Sequence, residues 1–301
     1  MIEVNHISKR YGAVQALNDV SLRIRRAELF GLIGPDGAGK TSLMRILATL
    51  LLPDGGSAAI NGVDVVKSYR AIRSSIGYMP GRFSLYQDLT MEENLRFFAT
   101  IFNASVEKNY DLIRPIYSQI EPFKKRRVGA LSGGMKQKLA LSCALIHRPS
   151  TLILDEPTTG VDAVSRQEFW QMLQTLKSQG ITMLVSTPYM DEAAMCDRIS
   201  FIHNGCLLQT DTPEGIVQRY SGNLYQLKSG DMYGLVTLLR AYPNTASCFT
   251  FGEFLHLQMR ADGEKEVNDM MQYIVNHGVT DAVLRKIPPS IEDCFIKLLS
   301  A

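Results

Sequence analysis

The stretch GPDGAGKT, residues 34–41, constrains this chain more than any other feature. It fits the spacing G-x-x-x-x-G-K-[ST]. It follows LFGLIG (29–34), a near-continuous apolar run that reads as a strand buried on both faces, and it heads KTSLMRILATLL, which reads as a helix. Strand, glycine-rich turn and helix in that order make a cradle for phosphate, because the glycines let backbone N–H groups turn inward and the helix N-terminus adds a favourable dipole. The nucleotide-binding candidates are Gly34, Asp36, Gly37, Ala38, Gly39, Lys40, Thr41 and Ser42. Lys40 reaches the β- and γ-phosphates, the Thr41 hydroxyl takes one magnesium position, and Ser42 assists.

A second stretch completes the chemistry. LILDEP ends a buried strand on Asp155, placed to hold magnesium through water. Glu156 beside it is placed to orient or deprotonate an attacking water. STLILDEP (150–157) and ITMLVST (181–187) are separated by the helical SRQEFWQMLQTLKSQG. Strands alternating with helices predict a mostly parallel sheet in an α/β fold. The N-terminal alternation IEVNHIS and VSLRIRRAEL predicts strands, and Asn61-Gly62 in SAAINGVDV predicts a hairpin turn. Residues 90–128 read as helical, with Thr90 and Glu93 at capping-box spacing and Met91, Leu95, Phe98 and Phe102 on one face. After about residue 220 strands and helices mix in a small α+β domain.

Composition adds exclusions. At 301 residues the chain has room for one large domain plus a small one. The net charge of +2 supplies no basic footprint for nucleic acid. No apolar run is long enough to span a bilayer and no signal core opens the sequence, so the chain is expected in the cytosol. Five scattered cysteines without CxxC spacing read as free thiols in a reducing compartment. The run Lys124-Lys125-Arg126-Arg127 reads most simply as a solvated face, with lipid head groups as the alternative, and Trp170, Phe97, Phe98 and Phe102 read as packing residues.

LSGGMKQKLALSCALIHRP (131–149) decides the family. Ser132 is a good N-cap, Gly133 and Gly134 expose N–H groups at a helix start, and Pro149 stops the helix. The motif resembles the signature sequence of ATP-binding cassette (ABC) proteins. Tyr11 in SKRYGAVQAL resembles the aromatic that stacks on adenine in that family. Asp162 in TTGVDAVSR resembles the residue of the loop at the subunit interface. CDRISFIHNGCLLQTDTPEGI resembles the closing strands of the cassette, and the tail KIPPSIEDCFIKLL resembles the extension of cassettes serving ABC-2 type permeases. The resemblance implies a P-loop NTPase (RecA-like) cassette over 1–220, with an antiparallel β subdomain and a helical subdomain at about 82–150, followed by an accessory domain over 221–301. It implies ATP and magnesium as ligands. It also implies a sandwich of two cassettes in which Ser132, Gly133 and Gly134 meet the partner's ATP. The permease is then a separate polypeptide, faced by part of the helical subdomain, and the cassette sits on the inner face of the membrane through it. The implied role is energising an ABC-2 type exporter. The alternative is an ATP-gated assembly or regulatory cassette that hydrolyses little.

Two positions depart from the family pattern. In IGYMPGRFSLYQDLT, Gly81 stands where the family has a glutamine that contacts magnesium and water. In STPYMDEA, Pro188 stands where the family has a histidine against the γ-phosphate. Glycine has no side chain, and proline has neither imidazole nor backbone N–H. Both losses fall on the site holding the chain's own Lys40 and Glu156. The expectation is firm MgATP binding, slow turnover and a heterodimer with an intact cassette rather than a homodimer. Arg82 and Tyr189 are the neighbours that could compensate.

Overall fold

The computed structural model of the chain describes residues 1–81 and 85–300 and divides into two units, Met1–Pro213 and Glu214–Ala301. The division falls ahead of the 220/221 boundary expected from sequence, because the residues after 213 already bond within the second unit. The Ile216 carbonyl accepts from Cys294 Sγ (3.8 Å), and the Tyr220 hydroxyl donates to Gln258 (3.3 Å).

The first unit runs β1 (Ile2–Tyr11), β2 (Val14–Ile24), β3 (Leu29–Ile33), α1 (Lys40–Leu47), β4 (Gly55–Ile60), β5 (Val63–Asp64), α2 (Tyr69–Ser75), β6 (Ile76–Met79), α3 (Met91–Ile101), α4 (Val106–Tyr117), α5 (Gly133–Leu145), β7 (Thr151–Asp155), α6 (Ala163–Ser178), β8 (Thr182–Thr187), β9 (Arg198–His203) and β10 (Cys206–Asp211). The alternating N-terminal strands form an antiparallel sheet of order β2-β1-β4-β5, turned between β4 and β5 by Asn61 and Gly62, both at positive φ. A second sheet has the order β10-β9-β3-β8-β7-β6. Its strands β9, β3, β8, β7 and β6 are parallel, with β10 antiparallel at the edge. The apolar runs are what central strands require: β3, β7 and β8 are buried at every position. Ile2, Val4 and Val20 of the antiparallel sheet share one core with Leu43, Met44 and Leu47 of α1 and Phe30 and Leu32 of β3.

α1 ends at Leu47, earlier than the helical run to Leu51 suggests, because Thr49 takes a left-handed backbone conformation (φ 61°). Residues 90–128 hold two α-helices. Asn103 (φ 50°) breaks the chain after α3, and Ser105 accepts the Lys108 N–H (3.2 Å) to start α4. The capping box forms as its spacing predicts: Thr90 Oγ1 accepts the Glu93 N–H (3.3 Å), and Glu93 Oε2 accepts the Thr90 N–H (2.7 Å). Thr90→Ala is therefore expected to destabilise the unit by about 1 kcal/mol in urea unfolding. An unchanged midpoint would show that α3 is held by packing alone. Helices α3, α4 and α5 pack on one another.

The second unit is entered through α7 (Pro213–Gln218). It continues as β11 (Leu224–Lys228), α8 (Met232–Ala241), β12 (Thr245–Phe251), β13 (Phe254–Met259), α9 (Glu264–Asn276), β14 (Val283–Ile287) and α10 (Ile291–Ser300). From β11 to β14 this is a β-α-β-β-α-β succession with sheet order β12-β13-β11-β14 and every neighbour antiparallel, the ferredoxin-like arrangement. Tyr225, Leu227, Leu255 and Leu257 of the sheet and Leu235, Leu239, Met270 and Ile274 of the helices form its own core. Among the described residues no helix is long and apolar enough to cross a membrane.

Candidate functional site

Four adjacent parallel strands, β3, β8, β7 and β6, end at the same edge of the sheet, and the loops leaving them meet there. This is where ligands bind in open α/β sheets. β3 leads into the loop 34–39 and α1, β7 ends on Asp155, β8 runs into Pro188, and β6 runs into Pro80 and Gly81. Strand register fixes the neighbours: Ile33 pairs with Thr187, and Asp155 pairs with Ser186.

The glycine loop needs its glycines at two points. A Cβ on Gly34 would sit 2.2 Å from the Ile202 carbonyl oxygen. Gly39, at φ 107°, would place one 2.3 Å from the Ala16 carbonyl oxygen. Ala38 is buried, whereas Asp36 and Gly37 stand exposed at the top of the loop. Gly39 gives α1 no side-chain cap and no acid follows in the first turn, so the helix N-terminus keeps its backbone donors for an anion. Lys40 is 3% exposed, and its ammonium spends its three donors on Gly34 O (2.8 Å), Pro35 O (2.9 Å) and Glu156 Oε1 (3.1 Å). Tyr11, at the end of β1, is 46% exposed and lies beside α1, with its hydroxyl 3.4 Å from Ser42 Oγ.

The carboxylates are equally constrained. Asp155 is buried, and its Oδ1 accepts from Thr41 Oγ1 (3.2 Å) and Ser186 Oγ (2.7 Å). Thr41 spends its proton on Asp155, so the lone pairs of its oxygen stay uncommitted beside a carboxylate. That all-oxygen donor set fits magnesium. Glu156 has a left-handed backbone (φ 48°), unusual for a residue with a side chain. Its amide N–H is shared between Ser186 Oγ (2.9 Å) and Ser186 O (3.1 Å). A Cβ built on Gly81 would lie 3.2 Å from the Asp155 carbonyl oxygen and 3.9 Å from its carboxyl carbon, so position 81 faces the acid. Pro188 is half-buried and follows Thr187, whose carbonyl accepts the Gly34 N–H (3.3 Å). Tyr189 is tied down: its N–H donates to Thr187 Oγ1 (3.0 Å), and its ring lies 4.8 Å under the Arg166 guanidinium. Arg82 lies outside the described residues.

The signature residues build a separate surface. Ser132 caps α5 by accepting the Met135 N–H (3.3 Å), with Gly133 and Gly134 as the first helical residues. A Cβ on Gly134 would meet Ser165 Oγ at 2.6 Å, so the close approach of α6 demands glycine there. Asp162 caps α6 through the Ser165 N–H (2.9 Å), and that hydrogen bond, with the Ser165 hydroxyl, holds its carboxyl below the usual carboxylate range. Among the described residues, Ser132–Gly134 hydrogen-bond to none of residues 34–42.

Sequence reasoning missed Ser186 and Gln137. Gln137 is buried and donates to the Pro157 carbonyl, tying α5 to the turn after Glu156. The available signal was the pair of hydroxyls, Ser186 and Thr187, closing the apolar run in LVST, and a lone amide on the buried face of α5.

Comparison with known proteins agrees with this geometry. The family model described as ABC transporter matches residues 17–159. The probable multidrug ABC transporter ATP-binding protein YbhF of Escherichia coli K12 is 36% identical over 307 residues, covering 99% of this chain and 52% of the relative. The chain thus spans about half the length of that relative. The Nod factor export ATP-binding protein I of Bradyrhizobium diazoefficiens is 33% identical over 99% of this chain and 95% of its own length. A solved structure of an ATP-binding subunit of an ABC transporter superposes with a TM-score of 0.66 at 29% identity, over 73% of this chain and 92% of that one. With a full-length relative of that similarity and the phosphate loop, paired carboxylates and signature helix all folded into place, this chain belongs to the ABC transporter family as an ATP-binding cassette.

Proposed function

We propose that this chain binds and hydrolyses ATP to energise an ABC-2 type membrane exporter, with slow turnover at its own site. The observation that carries the reading is the convergence of Lys40, Thr41, Asp155 and Glu156 at the ends of β3, β7 and β8, beside Gly81 and Pro188, which bring no polar side chain. Tyr11 stacks on adenine, the loop 34–42 and Lys40 take the phosphates, and Thr41 and Asp155 are the residues that hold magnesium. Magnesium, when bound, offsets phosphate charge. Phosphates that engage Lys40 displace Glu156 from its ammonium, which frees the carboxylate to orient water.

Ser132, Gly133 and Gly134 serve the ATP of a second cassette, with Asp162 at that interface. A partner with intact glutamine and histidine gives the pair one strong site, so a heterodimer is favoured over a homodimer. The length of YbhF outside the match leaves room for a second unit of this size. The other partner in this reading is a transmembrane permease. A largely apolar groove between the core sheet and the helical subdomain, lined by Tyr78, Phe98, Ile101, Phe102, Cys143 and His147, is the seat it would take, with the cassette on the inner face of the membrane. The export named for the Nod factor relative favours this role over assembly alone, and nucleic acid has no place in it.

The test is MgATP hydrolysis by the purified chain, alone and mixed with an intact partner cassette, with Glu156→Gln as the blank. Slow turnover alone and a rise on pairing are expected. Fast turnover by the chain alone would overturn the weakened-site reading.

A further inference from the structure

We propose that Ser186 is a positioning residue for both carboxylates of the site, setting the magnesium affinity of Asp155 and the backbone of Glu156 through one hydroxyl. The inference rests on the nucleotide-site reading above. Ser186 has no exposed surface and sits in the central strand β8 between Val185 and Thr187, where an aliphatic residue would fill the core without a polar atom to satisfy. Its hydroxyl both donates and accepts. The Asp155 carboxylate can only accept and the Glu156 N–H can only donate, so Ser186 Oγ donates to Asp155 Oδ1 (2.7 Å) and accepts from Glu156 N (2.9 Å).

The two contacts do different work. Among the described residues the other side-chain donor to Asp155 is Thr41, at 3.2 Å, and the Thr41 oxygen is itself the candidate metal ligand. Ser186 is therefore the anchor that stays fixed while Thr41 engages the metal. Groups behind a ligand in this way orient it and tune its affinity. On the other side, Glu156 needs a reason to hold φ 48°. Its N–H is shared by the Ser186 hydroxyl and the Ser186 carbonyl (3.1 Å), which stabilises the left-handed turn that brings its carboxylate back to Lys40. The register pair Asp155–Ser186 makes this possible, across a sequence separation of 31 residues.

Binding of a fluorescent ATP analogue is titrated with magnesium for the wild type, Ser186→Ala and Ser186→Thr, and repeated in EDTA. Ser186→Ala is expected to raise the half-saturating magnesium concentration roughly tenfold while leaving magnesium-free binding at the wild-type level. Ser186→Thr, which keeps the hydroxyl, is expected to restore most of the wild-type midpoint. Magnesium-free binding by each sample certifies that it is folded. A Ser186→Ala midpoint within about twofold of wild type, or an equal loss of magnesium-free affinity, overturns the proposal, as does a Ser186→Thr variant that binds normally in EDTA yet matches Ser186→Ala in magnesium. If the wild type itself binds ATP without any magnesium dependence, the assignment of magnesium to Thr41 and Asp155 fails instead.

Discussion

Lys40→Ala is expected to lower MgATP affinity by about two to three orders of magnitude, with turnover lost in parallel. The reasoning starts from where the ammonium is. At 3% exposure it has almost no access to water, and its three donors are taken by Gly34 O, Pro35 O and Glu156 Oε1. The two carbonyl contacts hold the amine inside the curve of the loop, beside the uncapped start of α1. Glu156 neutralises it there until phosphate arrives. A hydrogen bond to a charged group contributes about 1.5–3 kcal/mol, and losing two phosphate contacts removes roughly 3–4 kcal/mol, or about 10²–10³ in affinity. The remaining N–H groups of the loop and the adenine-stacking role proposed for Tyr11 are untouched, so weak binding is expected to persist. Calorimetric titration with MgATP checks this, with circular dichroism confirming the fold. A dissociation constant close to wild type would mean that phosphate docks elsewhere.

The parts of this molecule that were legible in the sequence are those whose cause is local. The apolar stretches LFGLI, LIL and MLV made β3, β7 and β8 readable as central strands, because burial on both faces favours apolar side chains at most positions. The capping box at Thr90 and the turn at Asn61-Gly62 were legible for the same reason: each is set by residues within a few positions. The end of α1 was not legible, since Thr49 adopts a left-handed backbone that no glycine announces. The start of the second unit was missed because Ile216 and Tyr220 are claimed by Cys294 and Gln258, partners far along the chain. In the site, motif spacing carried Lys40, Thr41, Asp155 and Glu156. Ser186 emerges only once β7 and β8 pair in register, a relation between strands that sequence alone leaves open. The ferredoxin-like strand order of the second unit is unreadable from its alternating strands for the same reason.

Gly81→Gln combined with Pro188→His is expected to raise the rate of ATP hydrolysis by about 10²-fold while moving the MgATP dissociation constant little. The two positions border the same site from opposite sides: Gly81 follows β6 and faces the Asp155 carboxyl carbon, and Pro188 follows β8, whose Thr187 carbonyl holds the Gly34 N–H. Gly81 is not in the left-handed region, so a glutamine needs no strained backbone there. Its Cβ, 3.2 Å from the Asp155 carbonyl oxygen, asks the loop to give by a few tenths of an ångström. Pro188→His returns both an imidazole and a backbone N–H to the edge of the phosphate loop. One donor aimed at developing charge is worth roughly 10²–10³ in rate, but groups acting on the same water and phosphate behave as a unit, so the double variant should gain well short of the product. In the proposed site, ground-state affinity resides in the loop, Lys40 and Tyr11, which neither change touches, so the gain belongs in kcat. The built-in alternative is compensation by Tyr189, whose ring is already committed beneath Arg166 and whose N–H is committed to Thr187. If the double variant binds MgATP normally and turns over no faster, other groups already ready the water in this chain, and its site was never the weaker half of a pair.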